Sequence, residues 1–88
     1  MLQKYSYTVS KRFVKNWSKL NPKTKKETVE KIDIFLKDPY SPTLKTHKLT
    51  GKLKDYWSFS VSYNLRVMFK FGKNVVEFID IGSHEIYK

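Results

Sequence analysis

Residues 57–71 read Trp57-Ser58-Phe59-Ser60-Val61-Ser62-Tyr63-Asn64-Leu65-Arg66-Val67-Met68-Phe69-Lys70-Phe71. Trp57, Phe59 and Val61 alternate with Ser58, Ser60 and Ser62, and Leu65, Val67, Phe69 and Phe71 alternate with Arg66, Met68 and Lys70. Successive side chains of a strand point to opposite faces, so each run predicts a strand with one apolar face. The bridge Ser62-Tyr63-Asn64 has the size of a hairpin turn. A second such bridge, Gly72-Lys73-Asn74, leads into a third β-branched and aromatic run from Val75 to Ile81. Together the three runs predict an antiparallel meander. With Leu65, Val67, Phe69 and Phe71 on the core side, Ser58, Ser60, Arg66, Met68 and Lys70 fall on the other face. That face is mostly polar, with Arg66 near its middle.

Upstream, Tyr5, Tyr7 and Val9 alternate with Lys4, Ser6 and Thr8, which predicts a strand over about 3–9. Ser10 suits the cap of a helix over 11–20, whose apolar residues Phe13, Val14, Trp17 and Leu20 recur at helical spacing. Asn21 and Pro22 suit the cap and first position of a second helix, with Val29, Ile32, Phe35 and Leu36 as its core face. Asp38-Pro39 stops it, because the residue before proline disfavours helical backbone. So short a turn between helices predicts an antiparallel helix hairpin. Residues 39–54, with Pro39, Pro42 and Gly51, read as an irregular connection pinned to the core by Leu44, Leu49 and Leu53. The order β-α-α-β-β-β predicts a small α+β domain over residues 1–88: an antiparallel sheet with a helix hairpin packed on one face.

Composition sets bounds on this picture. A chain of 88 residues buries roughly 60–65% of the surface exposed when unfolded, which allows one modest core. Fourteen aromatic residues (6 Phe, 6 Tyr and 2 Trp) argue for a packed domain rather than a disordered tail. The absence of cysteine excludes disulfides, thiolate metal sites and a cysteine nucleophile. No apolar run is long enough for a transmembrane helix. Met1-Leu2-Gln3-Lys4-Tyr5 lacks the apolar core of a signal peptide, so the expected location is the cytoplasm.

Charge is the first functional signal. Eighteen Lys and Arg against eight Asp and Glu leave a net +10. A domain this basic suits a polyanion, an acidic protein, or both. The alternative is a lysine-rich composition with no special partner. Seven cations, Lys11, Arg12, Lys15, Lys19, Lys23, Lys25 and Lys26, occur without an intervening acid. Lys45, Lys48, Lys52 and Lys54 form a second cluster around His47. Two basic patches flanking one site would suit RNA on two sides, with steeply salt-dependent binding, or an acidic protein laid across them.

Three stretches are more distinctive: His47-Lys48-Leu49-Thr50-Gly51-Lys52-Leu53, then Tyr56-Trp57-Ser58-Phe59-Ser60-Val61 with Asn64-Leu65-Arg66-Val67-Met68-Phe69, and finally Ile81-Gly82-Ser83-His84-Glu85-Ile86-Tyr87. In this order, after a strand and a Lys-rich helix pair, the chain resembles the RelE/ParE superfamily toxins of bacterial type II toxin–antitoxin systems, its YafQ-like and RelE-like members most. The resemblance implies a RelE-like fold and a metal-free, cofactor-free endoribonuclease that cuts messenger RNA on the ribosome by attack of the ribose 2′-hydroxyl. It implies a cytoplasmic protein with a cognate antitoxin, the ribosome with its RNA, and messenger RNA as partners, and no membrane.

Residue by residue, the resemblance makes His84 the C-terminal catalytic position, Arg66 the strand arginine on the scissile phosphate, Tyr87 a base-stacking or proton-assisting tyrosine, and His47 the histidine of the loop before the meander. Lys48, Lys52, Lys54, Lys70, Lys11, Arg12 and Lys15 are the candidate RNA-binding cations. Ser60 and Asn64 stand where YafQ-like members have a second histidine and an aspartate. Ser58 and Ser60 stand where RelE has two lysines. Fewer acid–base groups keep two alternatives open: a ParE-like toxin that inhibits DNA gyrase, and a catalytically degenerate partner of the antitoxin.

Each candidate also has a structural reading. His84 can be surface decoration, His47 can hydrogen bond its own loop, Tyr87 can cover the sheet edge, and Arg66 can pair with Asp80 or Glu77. Against these stands the chemistry. The two histidines are the side chains that ordinarily titrate near neutrality, and a guanidinium offers two parallel donors to phosphate oxygens.

Overall fold

A computed structural model of the chain describes residues 5–87, without the side chains of His84 and Glu85. The chain runs through β1 (Ser6–Val9), α1 (Lys11–Ser18) and α2 (Pro22–Lys37), then through a 3-10 turn at Pro42–Leu44 and β2 (His47–Lys48). A second 3-10 turn at Gly51–Leu53 precedes the meander β3 (Trp57–Ser60), β4 (Arg66–Phe71) and β5 (Val75–Gly82), and a last 3-10 turn spans His84–Tyr87.

Local chemistry accounts for the helix ends. Ser10 Oγ accepts from Phe13 N–H at 3.0 Å and donates to the carbonyl of Ile79, so one side chain caps α1 and ties it to β5. Asn21 Oδ1 accepts from Thr24 N–H at 2.8 Å, with Pro22 in the first helical turn of α2. α2 ends at Lys37, before Asp38-Pro39, as the sequence predicts.

The α+β class and the helix hairpin stand, and the sheet is larger and mixed. Its order is β1-β5-β4-β3-β2. The expected antiparallel sheet holds for the meander and for β2, whereas β1 runs parallel to β5, from Ser6 opposite Val75 to Val9 opposite Phe78. The added strand β2 lies inside the expected irregular connection and places His47 opposite Ser58. Two residues carry no readable period, which is why this strand escapes a periodicity argument.

Phe35 of α2 centres the core. Its ring stacks on Phe59 at 4.6 Å, meets Phe69 edge-on at 4.6 Å, and lies 5.8 Å from Phe78. Val67, Val76 and Leu44 are fully buried around it. Such ring pairs add roughly 0.5–1.5 kcal/mol each beyond their buried area. Two expected core residues are not in the core: Val14 is 49% exposed and Val29 is 50% exposed. Thr28 takes the buried place on α2 instead and returns its hydroxyl to Thr24 O at 2.8 Å. The α1 and α2 surfaces therefore part beside β1, leaving an apolar groove of about 520 Å³ that includes Tyr7, Val9, Val14, Val29 and Ile32.

The face of the meander turned away from Phe35 is less open than the sequence suggests. Ser58, Met68 and Asp80 are all buried there. The C-terminal turn folds back over it, with Ile86 buried and Tyr87 bonded to Ser58. Gly82 makes this approach possible, because a Cβ at that position would lie 2.7 Å from Ile86 Cγ2.

Candidate functional site

Strand pairing assembles the site. His47 lies opposite Ser58, Ser58 opposite Met68, and Ser60 opposite Arg66. Paired residues share a face, and residues two apart on one strand lie about 7 Å apart on that face. His47, Ser58, Ser60 and Arg66 thus occupy one face within two rungs of the ladder. The Ser58 hydroxyl is hydrogen bonded to the Tyr87 hydroxyl, which delivers the C-terminal tyrosine to the same rungs. Arg66 lies opposite Gly82, the residue from which the His84–Tyr87 turn departs. The backbone of His84 is therefore close along the chain to the Arg66 rung, while its side chain lies outside the described residues.

Arg66 and His47 open into a groove of about 470 Å³ at the β3–β4 hairpin, which Lys31 of α2 and Lys45 also line. The rest of the described wall is rich in hydroxyls, from Thr43, Ser60, Ser62 and Tyr63, and no carboxylate lines the groove among the described residues. Two lysines, an arginine, a histidine and hydroxyl donors, with no acid among the described lining residues, form a lining suited to an anion with several oxygens. The structural alternative for Arg66 does not occur. Asp80 is ion-paired with Arg12, and Glu77 lies opposite Lys70. Among the described residues, half-buried Arg66 has no ion-pair partner.

His47 Nδ1 lies 3.0 Å from the carbonyl oxygen of Lys45. A carbonyl can only accept, so Nδ1 carries the hydrogen and donates it. In the neutral ring this leaves Nε2 with a free lone pair, ready to accept a proton from a bound group. Lys45 holds a left-handed backbone, φ 52°, at the end of the Pro42–Leu44 turn, and this kink aims its carbonyl at the imidazole.

Several candidate cations fall elsewhere. Arg12 Nε is 2.7 Å from Asp80 Oδ2. Asn16 Nδ2 and Ile81 N–H donate to Asp80 Oδ1 at 2.7 and 2.8 Å. Arg12 thus belongs to a clamp that fastens α1 to β5, and it is not placed as a free RNA contact. Lys11 and Lys15 share α1, which packs on β5, while His47 is on the far edge strand. Lys48, Lys52, Lys54 and Lys70 are exposed but do not line the groove. Two lining groups had no place in the sequence reading. Lys31 was hidden among many helix lysines, although it lies on the same stripe as buried Thr28 and Phe35, an unusual place for a lysine with only solvent to meet. Tyr63 read as turn.

No family model and no curated protein matches the sequence. Solved structures do. The YoeB/ParE toxin from Agrobacterium tumefaciens superposes with a TM-score of 0.76 at 17% identity, covering 90% of this chain and 98% of that one. The chain has the fold of the RelE/ParE toxins. The archaeal RelE–RelB complex from Pyrococcus horikoshii gives 0.75 at 19% identity over 91% and 94% of the two chains. The E. coli DinJ–YafQ toxin–antitoxin complex gives 0.72 at 18% over 94% and 96%. The RelE/ParE resemblance first read from three short motifs therefore extends across the described fold. No helix among the described residues is long and apolar enough to cross a membrane.

Proposed function

We propose that the protein is the toxin of a type II toxin–antitoxin pair and acts in the bacterial cytoplasm as a ribosome-dependent endoribonuclease on messenger RNA. The observation that carries this reading is the convergence of Arg66, His47 and the Tyr87 hydroxyl on two adjacent rungs of one sheet face. In the proposed reaction the ribose 2′-oxygen attacks the adjacent phosphorus and the bond to the 5′-oxygen breaks. The products are a 2′,3′-cyclic phosphate and a 5′-hydroxyl. One group must take the 2′-hydroxyl proton, another must give a proton to the leaving oxygen, and a cation must meet the charge growing on phosphate.

Arg66 fits the last role, with two parallel donors for phosphate oxygens. His84 carries a proton at the leaving or attacking oxygen. His47, with Nε2 free, and Tyr87, held by Ser58, assist and position. Ribosomal RNA and messenger RNA meet the exposed lysines, Lys48, Lys52, Lys54 and Lys70 outside the groove and Lys11 and Lys15 on α1. The cognate antitoxin, an acidic partner suited to the net +10 of this chain, lays the apolar face of a segment in the groove beside β1. The solved complexes of similar fold include antitoxin-bound ones.

The test is expression of the chain alone, with messenger 5′ ends mapped by primer extension beside Arg66→Ala and His84→Ala. In-frame cuts in translated messages, lost in both variants, are expected. Growth arrest without cuts would point to another target such as gyrase, and no arrest would point to a degenerate antitoxin partner.

A further inference from the structure

Tyr63 is 91% exposed at the tip of the β3–β4 hairpin. Leu65 N–H closes the turn onto Ser62 O at 3.3 Å, and Val61 N–H reaches Leu65 O at 2.8 Å, so backbone bonds shape the hairpin without the tyrosine side chain. The other exposed tyrosines have ring neighbours: Tyr7 sits 5.5 Å from Phe78, and Tyr40 sits 6.0 Å from Trp57. Tyr63 has no such neighbour among the described residues, yet it lines the same groove as Arg66, Lys31 and Lys45. A ring that adds nothing to the core, beside cations and with no carboxylate among the described lining residues, has the make-up of a nucleotide subsite. The cations track phosphate and the ring takes a base on its face.

We infer that Tyr63, Lys31 and Lys45 form a subsite for one nucleotide of single-stranded RNA next to the phosphate held by Arg66, with the base stacked on Tyr63 and the neighbouring phosphate held by Lys31. This rests on the ribonuclease reading for its substrate class. RNA fits better than an acidic peptide because the wall is hydroxyl-rich and offers one ring in place of an apolar strip. Apolar surface for a peptide lies in the other groove, beside β1.

The test measures binding of a fluorescein-labelled 2′-O-methyl RNA hexamer by anisotropy, using the full chain and the variants Tyr63→Ala, Tyr63→Trp and Lys31→Ala. Methylation removes the attacking hydroxyl, so binding is read without cleavage. Tyr63→Ala is expected to weaken binding by about tenfold, and Tyr63→Trp to keep it, because stacking needs a flat ring. Lys31→Ala is expected to lower the slope of log affinity against log salt by about 0.7, the loss of one phosphate contact. No saturable binding, Tyr63→Ala within about twofold of the parent, or competition by an acidic peptide that itself depends on Tyr63 would overturn the inference. Tyr63-dependent binding without messenger cuts in cells would keep the subsite and remove the nuclease. Arg66-dependent cuts with Tyr63-independent binding would do the reverse.

Discussion

Two grooves among the described residues are of similar size and opposite chemistry. The one beside β1 encloses about 520 Å³ between mostly apolar side chains of two strands and two helices, with Asp33 as its one charged lining residue among those described. The one at the β3–β4 hairpin encloses about 470 Å³ between lysines, an arginine, a histidine and hydroxyls. The first is apolar surface left uncovered, with Val14 and Val29 half exposed in its wall. The second is surface that no core demands, built where a loop, a hairpin and one helix turn happen to meet. An uncovered apolar groove calls for a protein partner, and a cationic one calls for a polyanion. The difference teaches that one small domain offers two surfaces of opposite chemistry, one suited to apolar side chains and one to an anion.

The largest expected effect separates chemistry from folding. Arg66→Ala should lower cleavage of a programmed ribosome's message by at least about 100-fold, the usual cost of removing one donor to a developing oxyanion. Its urea midpoint should stay near that of the parent chain, since Arg66 has no ion-pair partner to lose among the described residues. A large drop in stability instead would make Arg66 a structural residue and blur the contrast between the grooves.

Asp80→Ala comes next, and it acts on the clamp that fastens α1, one wall of the groove beside β1, to β5. Asp80 is 1% exposed and holds Asn16, Arg12 and its own strand's Ile81 N–H. Removing it leaves the buried Ile81 N–H and the half-buried Asn16 amide without their acceptor, at a cost of about 1–3 kcal/mol in urea unfolding. Arg12→Ala should cost less, because that side chain is 56% exposed and water screens its share of the pair. Equal losses in the two variants would show that the ion pair, and not the buried hydrogen bonds, fastens α1.

Gly82→Ala tests how the C-terminal turn reaches the site. The new methyl would meet Ile86 Cγ2 at 2.7 Å. It should therefore displace the turn at a cost of about 1–2 kcal/mol and separate Tyr87 from Ser58. Cleavage should fall with it while the hexamer still binds Tyr63. Unchanged stability and cleavage would mean the turn gives way freely and does not position the site.

The smallest effect on the isolated protein is the sharpest test of the apolar groove. Val29→Glu, at a half-exposed position, should shift stability by less than about 0.5 kcal/mol. It should leave messenger cutting intact while weakening neutralisation by the co-expressed antitoxin. Full neutralisation of the variant would empty the groove of its proposed occupant.

The legible parts of the fold were those governed by near neighbours in the chain. Alternation over residues 57–71 identified the meander and set Arg66 on the polar face. Ser10, Asn21, Pro22 and Asp38-Pro39 marked the helix ends through bonds that span only a few residues. Composition and charge pointed to a polyanion, and three short motifs carried the resemblance to RelE/ParE toxins. Periodicity says which way a side chain points and nothing about which edge a strand joins. So the parallel seat of β1 beside β5, and the two-residue β2 that sets His47 opposite Ser58, became visible only in the folded chain. The same limit hid the burial of Ser58 under Tyr87, the claim of Arg12 on Asp80 across 68 residues, and the convergence of Lys31 and Tyr63 on Arg66. These contacts join residues far apart in sequence. Their existence depends on how the layers dock, a choice made by packing around Phe35 and recorded in no local pattern.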